Sequence, residues 1–414
     1  MTPALPDTVA PVAFGSARLL AGVSGGVSNE LVRHRSVHGP PRPRDLATLV
    51  SEAAAVRLLG RGGAGFPVST KLVATPPGER TEVVVNGSES EPLSRKDRTL
   101  MVLTPHLVLD GAVTVARALG TRRVTVAVHD RESAVSLRNA VADRQRVEDE
   151  PEQIRVRHQP ARFVSGEIRA VLEGLEGRPA VPPGRRALPS QRGLRGAPTF
   201  ASNAETFAQL ALLVSLGVAR YAEVGAPEEP GTTLLTLAGD VAHGGVVEVP
   251  TGLPLTALTG AGAGPLLVGG YHGRWLDAPG DLVLSRPSLR ERGLPLNAGV
   301  VARFPAGTCC LAEVVAVSTW LADQSAGQCG PCLFGVAAVA RGVVDLLHGR
   351  AAPQVAHRLA GLAGRGACAH PDGTAAFVGT ALTVLADEVD LHQRRGACGR
   401  PYLGVLPVRD GSSR

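Results

Sequence analysis

Residues 60–67 read GRGGAGFP, with four glycines in the first six positions. Gly60, Gly62 and Gly65 fit the spacing of a loop that wraps a dinucleotide pyrophosphate. The context differs from that fingerprint. A dinucleotide loop follows a strand and opens a helix. Here the apolar positions of DLATLVSEAAAVRLLG (45–60) have helical spacing, and Pro67 follows the glycines. Glycine-rich backbone still presents N–H groups to an anion. The loop is therefore expected to hold a nucleotide outside a dinucleotide fold, a plain turn being the alternative.

Downstream, TEVVVNGSESEP (81–92) reads as a buried strand running into a polar loop. TPHLVLDGAVTVARALG (104–120) reads as a helix capped by Thr104. RRVTVAVHD (122–130) and QIRVRH (153–158) are strands on either side of a helix, and GEIRAVLEGLEG (166–177) and NAETFAQLALLVSLG (203–217) are further helices. Strands alternating with helices predict a parallel sheet covered on both faces. From about residue 230, TTLLTLAGDVAHGGVVEVPTGLPLTAL reads as strand, turn, strand and helix, a small β-grasp pattern. Past residue 310 four apolar-faced helical segments predict a four-helix bundle.

The chain has 414 residues and a net charge of +6, with only two lysines, Lys71 and Lys96. The basic residues are scattered or lie in Pro-rich loops such as RHRSVHGPPRPRD (33–45), so no nucleic-acid partner is expected. No apolar run is long enough to span a bilayer and the start lacks signal-peptide character, so a cytoplasmic protein is expected. In a chain so rich in arginine, Lys71 and Lys96 mark places that need a slim ammonium. In NGSESEPLSRKDR (86–98), Asn86 ends a strand, and Ser88, Glu89 and Glu91 follow where α/β sheets bind ligands. All six cysteines lie after residue 300. Cys329-Gly-Pro-Cys332 with Cys368 points to a metal or cluster rather than a disulfide framework, although three ligands complete neither zinc nor an iron–sulfur cluster. Cys309 and Cys310 read as small apolar core residues. Trp275 and Trp320 read as packing residues.

In order along the chain come GRGGAGFP, NGSESEP with KDR, VSGE (164–167) opening a helix that ends LEG (175–177), APTFASNAET (197–206), GQCGPC and ACAHPDG. This ordered set resembles the flavin- and NADH-binding subunit of respiratory complex I and the diaphorase subunits of NAD-linked hydrogenases and formate dehydrogenases. The resemblance spans roughly residues 50 to 385. It implies an α/β architecture: a lead-in (1–45), a Rossmann-like flavin domain (46–228), a β-grasp, SLBB-like module (229–308), a four-helix iron–sulfur bundle (309–395) and a tail (396–414). It implies FMN held by Gly60, Arg61, Gly62, Gly63, Phe66, Lys71, Asn86, Ser88, Glu89, Gly166, Ser202 and Asn203. Glu91 and Glu167 would orient nicotinamide and flavin, and Cys329, Cys332 and Cys368 would ligate a [4Fe-4S] cluster. The implied activity passes electrons from NAD(P)H through FMN to the cluster, and on to a ferredoxin, a quinone-linked partner or another iron–sulfur subunit.

This sequence departs from the family pattern at several positions. The family's loop Asp is Ser88, the second Glu of its GEE motif is Ile168, and the first of its paired asparagines is Ser202. Of three aromatic rings that clamp NADH, Phe66 remains, while Ala74 and Leu188 stand at the others. Each lost stack removes about 0.5–1.5 kcal/mol. The first cluster cysteine is replaced by Ala326. Cys398, in the Gly-rich RRGACGRP (394–401), is the expected fourth ligand, and a Cys3His zinc site using His370, or no metal, is the alternative. A non-enzymatic electron-transfer or scaffold relative, or a zinc-stabilised binding module, are the competing functions.

Overall fold

The structure, a computed structural model, describes residues 10–23, 30–148, 152–184 and 187–408. Residues 1–9 and 24–29 of the expected lead-in, residues 409–414 of the tail, and Arg185–Arg186 of the Arg-rich loop lie outside the described residues.

Four strands form an all-parallel sheet in the order Gln153–His158, Arg123–Val128, Glu82–Gly87 and Thr199–Asn203. Val83, Val84 and Val85 are fully buried, as expected for a strand covered on both faces. One face is covered by helices Pro105–Ala118 and Ala204–Ala222, which approach closely because Gly111 lies directly against the Phe207 backbone. On the other, Ile168–Leu175 packs over Val84, Ala127 and Ala201. Asn86 and Asn203 face each other in register at the carboxyl ends of neighbouring strands.

A second, six-stranded mixed sheet has the order Val12–Ala13, Gly245–Pro250, Thr232–Gly239, Val300–Arg303, Leu266–Val268 and Arg274–Leu276. Its outer strand, Val12–Ala13, comes from the expected lead-in. The Glu248 carboxylate accepts the backbone N–H groups of Arg18, Leu19 and Leu20 at 2.9–3.1 Å. Helix Leu31–His38 is tied down by Arg35, which pairs with Asp110 at 2.7 Å and with Glu148 at 2.6 Å.

The C-terminal region is helical: Cys310–Asp323, a π-helical turn Pro331–Val336 running into Ala337–Leu347, Val355–Leu362, His370–Val384 and Ala386–Arg395. The last expected helix is thus two, broken at Leu385. Tyr271, Trp275 and Phe304 of the second sheet share one core with Val314, Val339 and Phe377 of these helices. Trp275 stacks on Phe304 at 4.5 Å, and Trp320 meets Tyr271 edge-on at 5.6 Å. No single helix among the described residues is long and apolar enough to cross a membrane.

Candidate flavin cradle and cysteine trio

The glycine loop closes on itself. Gly60 N–H donates to the Phe66 carbonyl at 2.9 Å and Gly65 N–H to Gly62 at 3.1 Å. The four glycines have different reasons to be glycine. Gly65 needs positive φ (+54°), and a Cβ there would press on Arg290. A Cβ on Gly60 would crowd the Phe66 carbonyl at 3.3 Å. Gly62 and Gly63 have ordinary φ, and a Cβ there would meet only ordinary contacts, at 3.6 Å from Asn203 and 3.7 Å from Asn297. Both are exposed. The fold therefore does not need glycine at these two positions. Beside them Phe66 leaves 48% of its surface exposed. Ala74 and Leu188 are also exposed.

Arg61 sits differently from its expected role. Its guanidinium is buried against Glu229 and 3.7 Å from Glu205, and its backbone N–H donates to Thr206 Oγ1 at 2.9 Å. Arg286 meets the same Glu229 at 2.5 Å. Arg61 therefore anchors the loop to strand Glu229–Pro230 and helix Ala204–Ala222 and does not present its charge to a ligand. Lys96 extends this network, reaching Asp97 at 2.9 Å, Glu205 at 3.1 Å and Asn203 Oδ1 at 3.2 Å. Its carboxylate partners outweigh burial and hold its ammonium pKa above the ordinary value. Burial, reinforced by Glu89, pushes Asp97 up to about 6 against the pull of Lys96.

Lys71 is the contrasting case. Its Nζ donates to the Ala201 carbonyl at 3.0 Å and lies 6.0 Å from the Phe200 ring centre. Among the described residues no carboxylate pairs with it, and burial lowers its pKa. A desolvated ammonium with no carboxylate partner among the described residues, against the Ala201 carbonyl of strand Thr199–Asn203, suits an anion.

Asn86 Nδ2 donates to the Gly166 carbonyl at 2.8 Å, and its Oδ1 accepts Ser88 N–H at 3.0 Å. Gly166 lies so close to Ser88 and Ser90 that any side chain would collide with them. Ser88 Oγ is buried without a partner among the described residues. Ser202 is buried in its strand, in register with Val85. Asn203 caps helix Ala204–Ala222 through Glu205 N–H at 3.1 Å, and its Nδ2 donates to Asp97 at 2.6 Å.

The three acids have distinct places. Glu89 accepts Asp97 N–H at 3.2 Å and Arg98 N–H at 3.0 Å, capping helix Lys96–Leu103 from outside, so its carboxylate is already occupied. Residues 96–98 form the first turn of this helix. Thr104 precedes Pro105 as expected, but its hydroxyl donates back to Leu100 and caps nothing. Glu91 is buried and accepts Tyr271 N–H at 2.9 Å, and burial pushes its pKa up to about 8. Glu167 caps helix Ile168–Leu175 through Arg169 and Ala170, and burial raises its pKa.

Cys329 and Cys368 both lie within electrostatic reach of Cys332, although the three are not among the described residues whose donor atoms all lie within 4.8 Å of one another. Burial first, then Cys329 and Cys368, push the Cys332 thiol up to about 11. Burial raises Cys368, with smaller contributions from Glu167 and Cys329. Glu167 thus borders both the Asn86–Gly166 contact and the cysteine trio. Cys329–Cys332 opens on the π-helical turn, a distortion common at functional sites. Ala326 offers no ligand atom. His370 does not supply one freely: its Nδ1 faces His272 Nε2 at 3.1 Å and its Nε2 faces the Leu321 carbonyl at 3.0 Å.

The expected fourth ligand is elsewhere. Cys398 Sγ lies with Cys309, Glu388 and His392, all donor atoms being within 4.8 Å of one another. Cys309 precedes the fourteen-residue helix Cys310–Asp323, and Ser325, which interacts electrostatically with Cys332, follows it. That helix is about 21 Å long. The two cysteine groups therefore lie at opposite ends of it, because Pro401 O accepts Cys309 N–H at 2.9 Å and pins the tail at the far end.

Two family models match: the Nuo51 FMN-binding domain over residues 53–212 and the NADH-ubiquinone oxidoreductase-F iron-sulfur binding region over residues 313–392. The glycine cradle on a parallel sheet and the cysteine trio in a helical region fall within them, and together define a flavin- and iron–sulfur-binding oxidoreductase subunit. The NADH-quinone oxidoreductase F-subunit of Mycobacterium tuberculosis is 30% identical over 386 residues, 86% of each chain. That of Streptomyces coelicolor is 27% identical over 384 residues, 86% of this chain and 84% of the relative. The chain belongs to the family of NADH-quinone oxidoreductase F-subunits. The crystal structure of an NAD+-reducing [NiFe]-hydrogenase in the H2-reduced state contains a chain with TM-score 0.80 and 26% identity, covering 92% of this chain and 68% of that one. In its air-oxidized state the TM-score is 0.81 at 24% identity, over 98% of this chain and 70% of that one, a likeness of fold.

Proposed function

We propose that this chain is the electron-entry subunit of a larger oxidoreductase, taking electrons from NAD(P)H and delivering them to an iron–sulfur partner in the cytoplasm. The proposed units are a Rossmann-like flavin domain, an SLBB-like β-grasp module and an iron–sulfur bundle, divided near residues 228 and 308. When bound, FMN accepts an electron pair as hydride from NAD(P)H and releases it one electron at a time. Gly62 and Gly63 would leave bare backbone for the cofactor. Lys71 would supply positive charge to offset its anionic groups. Asn86, Ser88 and Asn203 lie at or just beyond the carboxyl ends of neighbouring strands, where they would border the cofactor. Glu91, neutral below about pH 8, can donate as well as accept a hydrogen bond there. Glu167 lies between the cradle and Cys368, on the route to the cluster.

The single observation that carries this reading is that Gly62 and Gly63 are glycines without a structural need for glycine. Its test is an equilibrium titration of the apo chain with FMN, set beside Gly63→Val. Wild type is expected to bind, and Gly63→Val to keep its melting temperature while losing at least about tenfold in affinity, near 1.4 kcal/mol. Equal binding by both would overturn the cradle.

One second reading has its own support. Ala74 and Leu188 leave Phe66 as the only ring of the expected aromatic clamp. A donor other than a nicotinamide, such as a reduced protein, would not need that clamp.

A further inference from the structure

We propose that Cys309, Glu388, His392 and Cys398 form a second metal site, which takes a single zinc ion and staples the C-terminal tail to the helical region. The site is independent of the flavin and cluster reading.

Its four donor atoms lie within 4.8 Å of one another. Zinc bonds of about 2.3 Å to sulfur and 2.0 Å to nitrogen, at tetrahedral angles, put donors roughly 3.5 Å apart. Cys309 Sγ and His392 Nε2 are 3.5 Å apart. Two thiolates, an imidazole and a carboxylate are ordinary zinc ligands.

The surroundings already hold the ligands in place. His392 Nδ1 lies 2.7 Å from the Leu347 carbonyl, which fixes the proton on that nitrogen and leaves Nε2 bare toward Cys309. Metal-bound histidines are oriented in this way. Glu388 is held by Leu311 N–H at 2.8 Å and by Arg400 at 3.3 Å. Arg400 also offsets the negative charge that two thiolates and a carboxylate leave over a divalent ion. Cys309, Glu388 and His392 are buried and Cys398 closes the open side. Binding releases the two thiol protons and changes no oxidation state.

The ligands come from the start of helix Cys310–Asp323, from helix Ala386–Arg395 and from the tail. Past the site the tail continues to Leu406, which is fully buried. Val405 and Leu406 donate to Glu313 at 3.0 Å, and Pro407 O accepts the Tyr271 hydroxyl at 2.6 Å. Tyr271 N–H in turn holds Glu91. A metal at Cys398 would therefore steady the segment that braces the flavin side.

The test is elemental analysis and zinc X-ray absorption on the full-length chain carrying Cys329→Ala and Cys332→Ala, which disables the other thiolate site. About one zinc per chain is expected, with two sulfur and two nitrogen or oxygen neighbours. Adding Cys398→Ser or His392→Ala should lower the content at least about tenfold. If those variants fold poorly, the sulfur and nitrogen shells around zinc in the wild-type chain decide the matter. Absence of zinc after growth in zinc-supplemented medium, zinc without sulfur neighbours, zinc unaffected by either variant, or a Cys309–Cys398 disulfide found by peptide mapping would each overturn the proposal.

Discussion

The Glu91 carboxylate accepts the backbone N–H of Tyr271 at 2.9 Å across 180 residues of chain, joining the loop after the first parallel strand to the second sheet. Gly270 must be glycine for this contact, because a Cβ there would lie 2.6 Å from Glu91 Oε2. Burial pushes this carboxyl up to about 8 from an ordinary value of 4.5. The folded chain therefore keeps a proton that the unfolded chain releases above about pH 4.5. Stability from this group is complete below that pH and is lost as pH rises through 8, on the order of 1 kcal/mol per pH unit at most. Glu91→Gln keeps the acceptor and removes the titration. Its melting temperature, followed by calorimetry from about pH 5 to 8, should fall less than that of wild type.

The glycine loop separates stability from binding. Gly65→Ala forces a side chain into left-handed φ against Arg290 and should cost about 1–2 kcal/mol in denaturant unfolding. Gly62→Ala should cost less than about 1 kcal/mol. If Gly62→Ala unfolds as readily as Gly65→Ala, the cradle has a structural origin.

Much of this arrangement is legible in the sequence, for identifiable reasons. The alternation of apolar strands and helices announces the parallel sheet because both its faces are covered. The motif order announces the family. Arg61 misleads because a motif match fixes a position along the chain but not where a long side chain turns, and here Glu229, 168 residues away, captures it. Glu89 misleads in the same way, since its partners are backbone N–H groups of a helix that the charge run conceals. Cys398 is misplaced because spacing alone cannot tell which end of a fourteen-residue helix the tail follows. The signal for the second cluster is present in sequence as Glu388-x-x-x-His392, one face of a helix, followed by Cys398.

Asn203 carries two loads. It caps helix Ala204–Ala222 and donates to the buried Asp97. Asn203→Ala removes a cap worth about 1 kcal/mol and a hydrogen bond to a charged group worth about 1.5–3 kcal/mol. Chemical denaturation should show a loss of about 2–4 kcal/mol. A loss under about 0.5 kcal/mol would mean that Asn203 does not hold the network together.

Lys71 has no carboxylate partner among the described residues, so Lys71→Met should leave stability unchanged or improve it. Bound flavin should become harder to reduce by about 30 mV, the equivalent of roughly 1.4 kcal/mol for two electrons. Spectroelectrochemistry reads this directly, and an unshifted potential would remove Lys71 from the site.

The cysteine trio predicts an asymmetric pattern of iron loss. Cys329→Ser, Cys332→Ser and Cys368→Ser should each deplete iron, Cys398→Ser should not, and Ala326→Cys should raise iron content by completing four thiolates. Iron assay with electron paramagnetic resonance separates these outcomes, and iron loss in Cys398→Ser would contradict the separation of the two cysteine groups.

The most direct test of the central claim is the visible absorption of the anaerobically purified chain, recorded before and after NADH. Flavin bands over a broad iron–sulfur shoulder are expected, both bleached by NADH. A colourless chain that takes up neither FMN nor iron on reconstitution would contradict it.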